Sequence, residues 1–177
     1  MMKQLLLPTL IALALAGCAS MAAPEPARAQ GAAPAISPDN KAALAGLREM
    51  KLAFDVTEAN PPALLLKLET IDLTRKQLIE AGVTPVIVVA FRGNASFYTQ
   101  LDLAKVKEAD RADALRIRAK LRELRKASGV ESIEQCNVPL ASRKIKPADV
   151  MQEVRVVGNG WISLAAYQQR GYSYIAP

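Results

Sequence analysis

Cys136 is the residue of this sequence with the clearest capacity for chemistry. It follows residues 131–135, which read as a strand, and Asn137 and Pro139 after it are typical of the start of a short helix. The amide groups at a helix start and the positive charge of nearby Arg143 favour the thiolate form of a thiol. Cys136 is therefore a candidate catalytic nucleophile. The alternative interpretation is a small buried side chain without a reaction of its own.

Polar residues follow several of the predicted strands. In a parallel sheet the carboxyl ends of the strands lie at one edge, and ligands bind there. The residues that we expect to bind a ligand at this edge are Arg92, Gly93, Asn94, Asn137 and Asn159. Two alternatives stay open. Arg92 pairs with Asp55 instead of a ligand, and Gly158-Asn159-Gly160 is an ordinary strand-to-helix turn rather than an anion cradle.

The composition excludes several classes of enzyme. The sequence contains no histidine, which excludes Ser-His-Asp and Cys-His catalysis and every histidine-ligated metal centre. Its two cysteines, Cys18 and Cys136, cannot build a four-thiolate metal site. Asp55 has no carboxylate neighbour at helical spacing, so paired acid–base catalysis has little support. We expect no metal and no cofactor.

Strands alternate with helices along the chain. Strands are predicted at residues 51–57, 85–91, 131–135, 153–157 and 172–175, and helices from Pro61 to a stop at Gly82 and at residues 110–127, 137–143 and 161–170. Residues 86–91 show no polar alternation, which is typical of a strand covered on both faces. The predicted fold class is α/β, with a mostly parallel five-stranded sheet flanked by helices on both faces. We expect Trp161, Tyr167, Tyr172 and Tyr174 to be core or interface aromatics.

The first residues have the features of an export signal. Lys3 precedes the apolar residues 5–15, a run too short to cross a bilayer of ~30 Å as a permanent helix. The run ends in Leu15-Ala16-Gly17-Cys18, which resembles the bacterial lipobox, in which the cysteine is lipidated and becomes the mature N-terminus. The alternative is ordinary signal cleavage after Ala29, which releases a soluble protein that lacks Cys18.

The rest of the chain divides into a tether and one domain. Residues 18–40 are rich in alanine and proline and read as a tether between the signal, residues 1–17, and a single domain at residues 41–177. Ser37 and Pro38 predict the start of a short helix through Leu47. The excess of cations is mild, with 23 Lys and Arg against 17 Asp and Glu, and acids interrupt the basic residues. We therefore expect no nucleic acid partner. From the export signal we expect an exported protein, which is an outer-membrane lipoprotein or, alternatively, a soluble periplasmic protein.

Residues from Met50 onward resemble the DsrE/DsrF-like sulfur-relay proteins with the YchN-like fold. The segments that carry the resemblance are residues 51–56, Asn60-Pro61, residues 86–91, Cys136-Asn137-Val138-Pro139-Leu140 with residues 143–145, and residues 168–177. The resemblance implies a five-stranded α/β domain that assembles into trimers or hexamers. It also implies that Cys136 matches a cysteine that carries a persulfide between partners. Two positions depart from the pattern, because Arg92 stands where a histidine is expected and Asn137 where exported relatives commonly have glycine.

The sequence supports three hypotheses about function. The first is an envelope-located carrier of sulfane sulfur, at most sulfurtransferase-like, which receives sulfur on Cys136 from a donor protein and passes it to an acceptor. The second is a non-catalytic binding or assembly module of the cell envelope on the same fold. The third is a lipoprotein that binds an anion through Arg92 and the Gly158-Asn159-Gly160 turn.

Overall fold

A five-stranded, entirely parallel sheet forms the centre of the computed structural model, which describes residues 38–177. The strands are β1 (Glu49–Val56), β2 (Thr84–Phe91), β3 (Val130–Cys136), β4 (Arg155–Val157) and β5 (Ser173–Ile175), in the order β4-β3-β2-β1-β5. The helices are α1 (Lys41–Leu44), α2 (Pro61–Glu80), α3 (Arg111–Lys126), α4 (Asn137–Ser142) and α5 (Gly160–Gln169). Short 3₁₀ segments occupy Gly93–Thr99, Glu108–Asp110 and Pro147–Asp149.

Helices cover both faces of this sheet. The larger core lies between the sheet and the helices α2 and α3, and includes Phe91, Leu64 and Ile117. A smaller core under α5 contains Ala53, Val88, Ala90, Leu164, Tyr167 and Tyr172. Strand β2 is buried on both faces, as its unbroken apolar run predicts. The structure confirms the predicted α/β class.

The residues predicted to start and stop α2 have the expected conformations in the structure. The side chain of Asn60 accepts a hydrogen bond from the Ala63 N–H at 3.0 Å, and Pro61 occupies the first helical position, where no amide donor is needed. After the helix, Gly82 adopts a φ of +77°, a left-handed conformation that glycine accepts without strain. These local features set the length of α2.

An ion-pair cluster joins α2 to α3. Asp72 on α2 is buried and accepts hydrogen bonds from Arg75, Lys76 and, at 2.9 Å, Lys120 on α3. Burial disfavours the ionised carboxyl, but these three cations outweigh it and hold the pKa of Asp72 well below its usual value. The cluster therefore stabilises the packing of the two long helices.

Two predicted elements and two predicted core positions differ from the structure. The first helix comprises only Lys41–Leu44, because the chain turns at Ala45 and Gly46 adopts a φ of +80°; the expected cap Ser37 lies outside the described residues. The fourth strand is Arg155–Val157, because the preceding residues form a turn in which the Val154 N–H donates to Met151 O. Of the four aromatics predicted to be core or interface residues, Tyr167 and Tyr172 are in the core, whereas Trp161 and Tyr174 are exposed and are not core residues; an interface role for these two stays a prediction.

No helix within residues 38–177 has both the length and the apolar character needed to cross a membrane.

Candidate functional site

Cys136 is the last residue of β3, next to a surface cavity. Its neighbours alternate across the sheet: Glu134 hydrogen bonds to α5, and Gln135 hydrogen bonds to the 3₁₀ segment Gly93–Thr99 on the other face. Cys136 is on the α5 face, is only 4% exposed and lines a cavity of about 250 Å³. The thiol is free and, although buried, borders space that a small molecule can occupy.

The sulfur of Cys136 receives a hydrogen bond from the first residue of α5. The Gly160 N–H lies 3.1 Å from the Cys136 Sγ, and Asn159 caps the same helix by accepting from the Trp161 N–H at 3.0 Å. A helix N-terminus carries a partial positive charge, and at α5 this end of the helix faces the Cys136 sulfur. Of the predicted Gly158-Asn159-Gly160 turn, the Gly160 amide is thus directed at Cys136.

Gly160 permits a close approach that no other residue allows. A Cβ at this position would lie 2.8 Å from the Cδ of Arg92 and 3.0 Å from the Cβ of Cys136. The absence of a side chain lets β2, β3 and α5 converge at one point.

Arg92 is held at the cavity by a buried carboxylate. Its guanidinium donates to both oxygens of Asp55, through Nε at 2.7 Å to Oδ1 and through a second nitrogen to Oδ2, and Tyr174 on β5 donates to the same Oδ2 at 2.6 Å. The guanidinium also lies 5.3 Å from the centre of the Trp161 ring. The hydrogen bonds to Asp55 raise the pKa of Arg92 above its usual value, although burial opposes this. Of the two alternatives for Arg92, the structure shows the pairing with Asp55.

Arg143 is the second guanidinium at the cavity. It follows α4 and donates to the Pro139 carbonyl at 2.9 Å and to the side-chain oxygen of Asn94. Its guanidinium lies 4.9 Å from the centre of the Phe97 ring. These contacts fix the orientation of the group. Among residues 38–177, none of its hydrogen bonds is to a carboxylate.

The structure brings most of the predicted site residues together. Arg92, Gly93, Cys136 and Asn159 all line the cavity. Asn94 lies beside it and contacts Arg143. Asn137 does not line it; it is the first residue of α4 and is half-buried, and Cys136 rather than Asn137 occupies the N-cap position. The lining residues that the sequence did not single out for binding are Val138, Pro139, Ser142, Arg143 and Trp161.

A second cavity, of about 530 Å³, lies beside β4 and has a different chemistry. Its wall includes Arg155 and Tyr167, which hydrogen bond to the fully buried Glu134. Burial and the hydrogen bond to Glu134 raise the pKa of Tyr167 to about 12. The described wall of this cavity contains no thiol, and the hydrogen bonds of Arg155 and Tyr167 to Glu134 form a structural polar network beside it. The part of the chain that the structure describes holds no cluster of three or more acidic or cysteine side chains placed to bind a metal ion.

Comparison with known proteins identifies the class of this fold and site. The model of the DsrE/DsrF-like family matches residues 50–177, and the chain belongs to that family. An uncharacterised protein of Aquifex aeolicus (strain VF5) is 27% identical over 126 residues, which cover 71% of this chain and 55% of the relative. The chain thus spans about half the length of that protein.

A solved structure supports the fold. The structure of a protein of unknown function from Methanobacterium thermoautotrophicum superposes with a TM-score of 0.53 at 18% identity, over 72% of this chain and 99% of that one. The family and the fold predicted from the sequence are confirmed.

Proposed function

We propose that this protein carries sulfane sulfur, and that Cys136 is the thiol that receives and releases it. The observation that supports this most directly is the position of the Cys136 sulfur, which borders a cavity and accepts a hydrogen bond from the Gly160 N–H at 3.1 Å. Membership of the DsrE/DsrF-like family is consistent with a sulfur-relay role. The reaction needs no cofactor.

The proposed reaction consists of two thiol exchanges. In the first, the Cys136 thiolate attacks the outer sulfur of a donor persulfide, the S–S bond of the donor breaks, and the donor leaves as a thiolate. Cys136 then holds a persulfide. In the second, the thiolate of an acceptor attacks the outer sulfur, a new acceptor persulfide forms, and the Cys136 thiolate is regenerated. Both steps move one neutral sulfur atom and need no external oxidant or reductant.

The residues around Cys136 have separate tasks in this reaction. The Gly160 N–H stabilises negative charge on the sulfur before attack and after release. Arg92, fixed by Asp55, forms part of the cavity wall and packs against Trp161 on the same wall. The low exposure of Cys136 limits access to molecules that fit the cavity, which protects a persulfide from unrelated thiols.

We further propose that the protein works in the cell envelope as a homo-oligomer, a trimer or hexamer. Residues 1–17 would direct export, Cys18 would carry a lipid anchor and residues 18–40 would tether the domain; these residues, except 38–40, lie outside the described part of the chain. Donor and acceptor would be other proteins or small thiols of that compartment. Metabolic labelling with palmitate tests the anchor, since a Cys18→Ser variant should lose the label.

The test of the proposed function is intact-protein mass spectrometry after exposure to cysteine persulfide. The wild-type protein should gain the mass of one sulfur atom, and a Cys136→Ser variant should not. A Cys18→Ser variant is the matched control and should gain the sulfur as the wild type does. A wild-type protein that stays unmodified contradicts the proposal and favours a non-catalytic binding module in which Cys136 is a packing residue.

A further inference from the structure

We propose that the Cys136 cavity selects small, negatively charged sulfur donors, and that Arg143 is the residue that sets this preference. The inference rests on the proposed function and names the class of its substrate. The donor is a small molecule in which the sulfane sulfur is attached to a group that carries an anionic charge.

The cavity wall is positively charged. Two of its lining side chains, Arg92 and Arg143, are guanidinium groups, and none of the described lining residues is acidic. Reaction of a thiolate with an anionic donor brings two negative charges together. A cation that lines the same small cavity offsets their repulsion, because charges closer together than the ~8 Å screening length of physiological salt are only weakly screened.

The two guanidinium groups differ in how much of their positive charge is left to attract an anionic donor. Arg92 forms a bidentate pair with the buried carboxylate of Asp55, which balances its charge. Arg143 donates only to neutral acceptors, Asn94 and the Pro139 carbonyl. A guanidinium has five N–H donors, so within the described residues three of those on Arg143 have no protein acceptor. Arg143 therefore supplies the unbalanced positive charge.

The same contacts prepare Arg143 for binding. The guanidinium is stacked on Phe97 and tied to α4 through the Pro139 carbonyl, so it loses little freedom when an anion arrives. The remaining walls include the apolar side chains of Val138 and Trp161. A cavity of about 250 Å³ is smaller than most ligand sites, so it fits a small donor with an anionic end and a short apolar body.

The test compares charged reagents that modify Cys136. Two methanethiosulfonates of similar size are used, one with an anionic sulfonatoethyl group and one with a cationic trimethylammonioethyl group. In each, the thiolate attacks the sulfenyl sulfur, a disulfide forms and methanesulfinate leaves. All proteins carry Cys18→Ser, so that only Cys136 reacts. The measured quantity is the ratio of the anionic rate to the cationic rate, divided by the same ratio for free 2-mercaptoethanol. This normalised ratio cancels both the intrinsic difference between the reagents and general changes in the exposure of Cys136.

We expect the ratio to exceed one in the parent protein and to fall about tenfold in Arg143→Gln. Arg143→Lys keeps the charge and should retain most of the ratio. Lys146→Gln removes an exposed cation that does not line the cavity and is the matched control, with less than about a twofold change expected. A parent ratio of one or below, or an unchanged ratio in Arg143→Gln, overturns the inference.

These outcomes are independent of the proposed function. Modification by a methanethiosulfonate needs no persulfide chemistry, so the charge preference can be present in a protein that accepts no sulfur. Conversely, a protein that gains sulfur from cysteine persulfide but shows no charge preference keeps its proposed function and loses this inference. Thermal unfolding of each variant verifies that the compared proteins are folded.

Discussion

Replacing Gly160 with alanine tests how the site is built. The added methyl group would lie 2.8 Å from the Cδ and 3.0 Å from the Cγ of Arg92, and 3.0 Å from the Cβ of Cys136. The Arg92 side chain cannot move aside cheaply, because both its Nε and a terminal nitrogen are bound to Asp55. We therefore expect the start of α5 to shift away from β3.

The size of the effect follows from two opposing contributions to stability and from one hydrogen bond. Alanine favours the helix by about 0.5–1 kcal/mol relative to glycine, and overpacking costs about 1–3 kcal/mol, so the free energy of unfolding should fall by about 0–2.5 kcal/mol. A hydrogen bond to a charged group contributes about 1.5–3 kcal/mol. Partial loss of the bond from the Gly160 N–H to a Cys136 thiolate should lower the alkylation rate at neutral pH about tenfold.

The assay is the rate of alkylation of Cys136 by iodoacetamide, measured with urea denaturation of the same proteins in a Cys18→Ser background. Gly158→Ala is the matched control: it adds the same methyl group two residues earlier, at a site with no atom within 4 Å, and should leave both quantities unchanged. If Gly160→Ala alkylates at the parental rate and unfolds at the parental urea concentration, the close approach does not govern the thiol.

Three further predictions concern charge and backbone conformation. Asp55→Asn removes the counter-charge of the partly buried Arg92, so the free energy of unfolding measured with urea should fall by about 3 kcal/mol. The preference of Cys136 for the anionic reagent should rise. An unchanged preference would show that the charge of Arg92 does not act on reagents in the cavity. Asp72→Asn should lower the free energy of unfolding by about 2 kcal/mol at pH 7. Because the ion pairs depress the pKa of Asp72 in the folded state, the unfolded chain takes up a proton first as the pH falls, near pH 3.9. The difference in unfolding free energy between wild type and variant should therefore shrink by about 1 kcal/mol between pH 5 and pH 3, and a constant difference would contradict the assignment. Lys144 has a φ of +55°, so Lys144→Gly should raise the free energy of unfolding by about 0.5–1 kcal/mol, whereas a loss would show that the lysine side chain stabilises the turn after α4.

The parts of the fold that the sequence predicts well are those with strong local signals. The apolar run of β2 and the cap at Asn60 depend on neighbouring residues only, and the structure confirms both. The 3₁₀ segment Gly93–Thr99 has no such signal. It is held by the buried amide of Gln135, which hydrogen bonds to Ser96 and Thr99 nearly forty residues away in sequence. A local sequence pattern does not predict interactions between residues so far apart in the sequence.

The same distinction applies to the site. The rule that ligands bind where parallel strands end selected Arg92, Cys136 and Asn159, which the structure places around one cavity. Their role in binding and catalysis stays a prediction. The contact between Gly160 and the Cys136 sulfur joins residues that are 24 positions apart in the sequence. The orientation of the Arg143 guanidinium depends on its contacts with Asn94 and Phe97. The nearness of Arg143 to the thiol follows from their spacing in the sequence, whereas the Gly160 contact and the contacts that orient Arg143 do not follow from residue type or spacing.

Trp161 gives this protein a built-in optical reporter. It is the only tryptophan among the 177 residues, and its indole ring lies on the cavity wall, 5.3 Å from the Arg92 guanidinium. Intrinsic fluorescence excited at the red edge therefore originates at the wall of the cavity that Cys136 also lines. Events at the thiol can be followed in real time without attaching a dye.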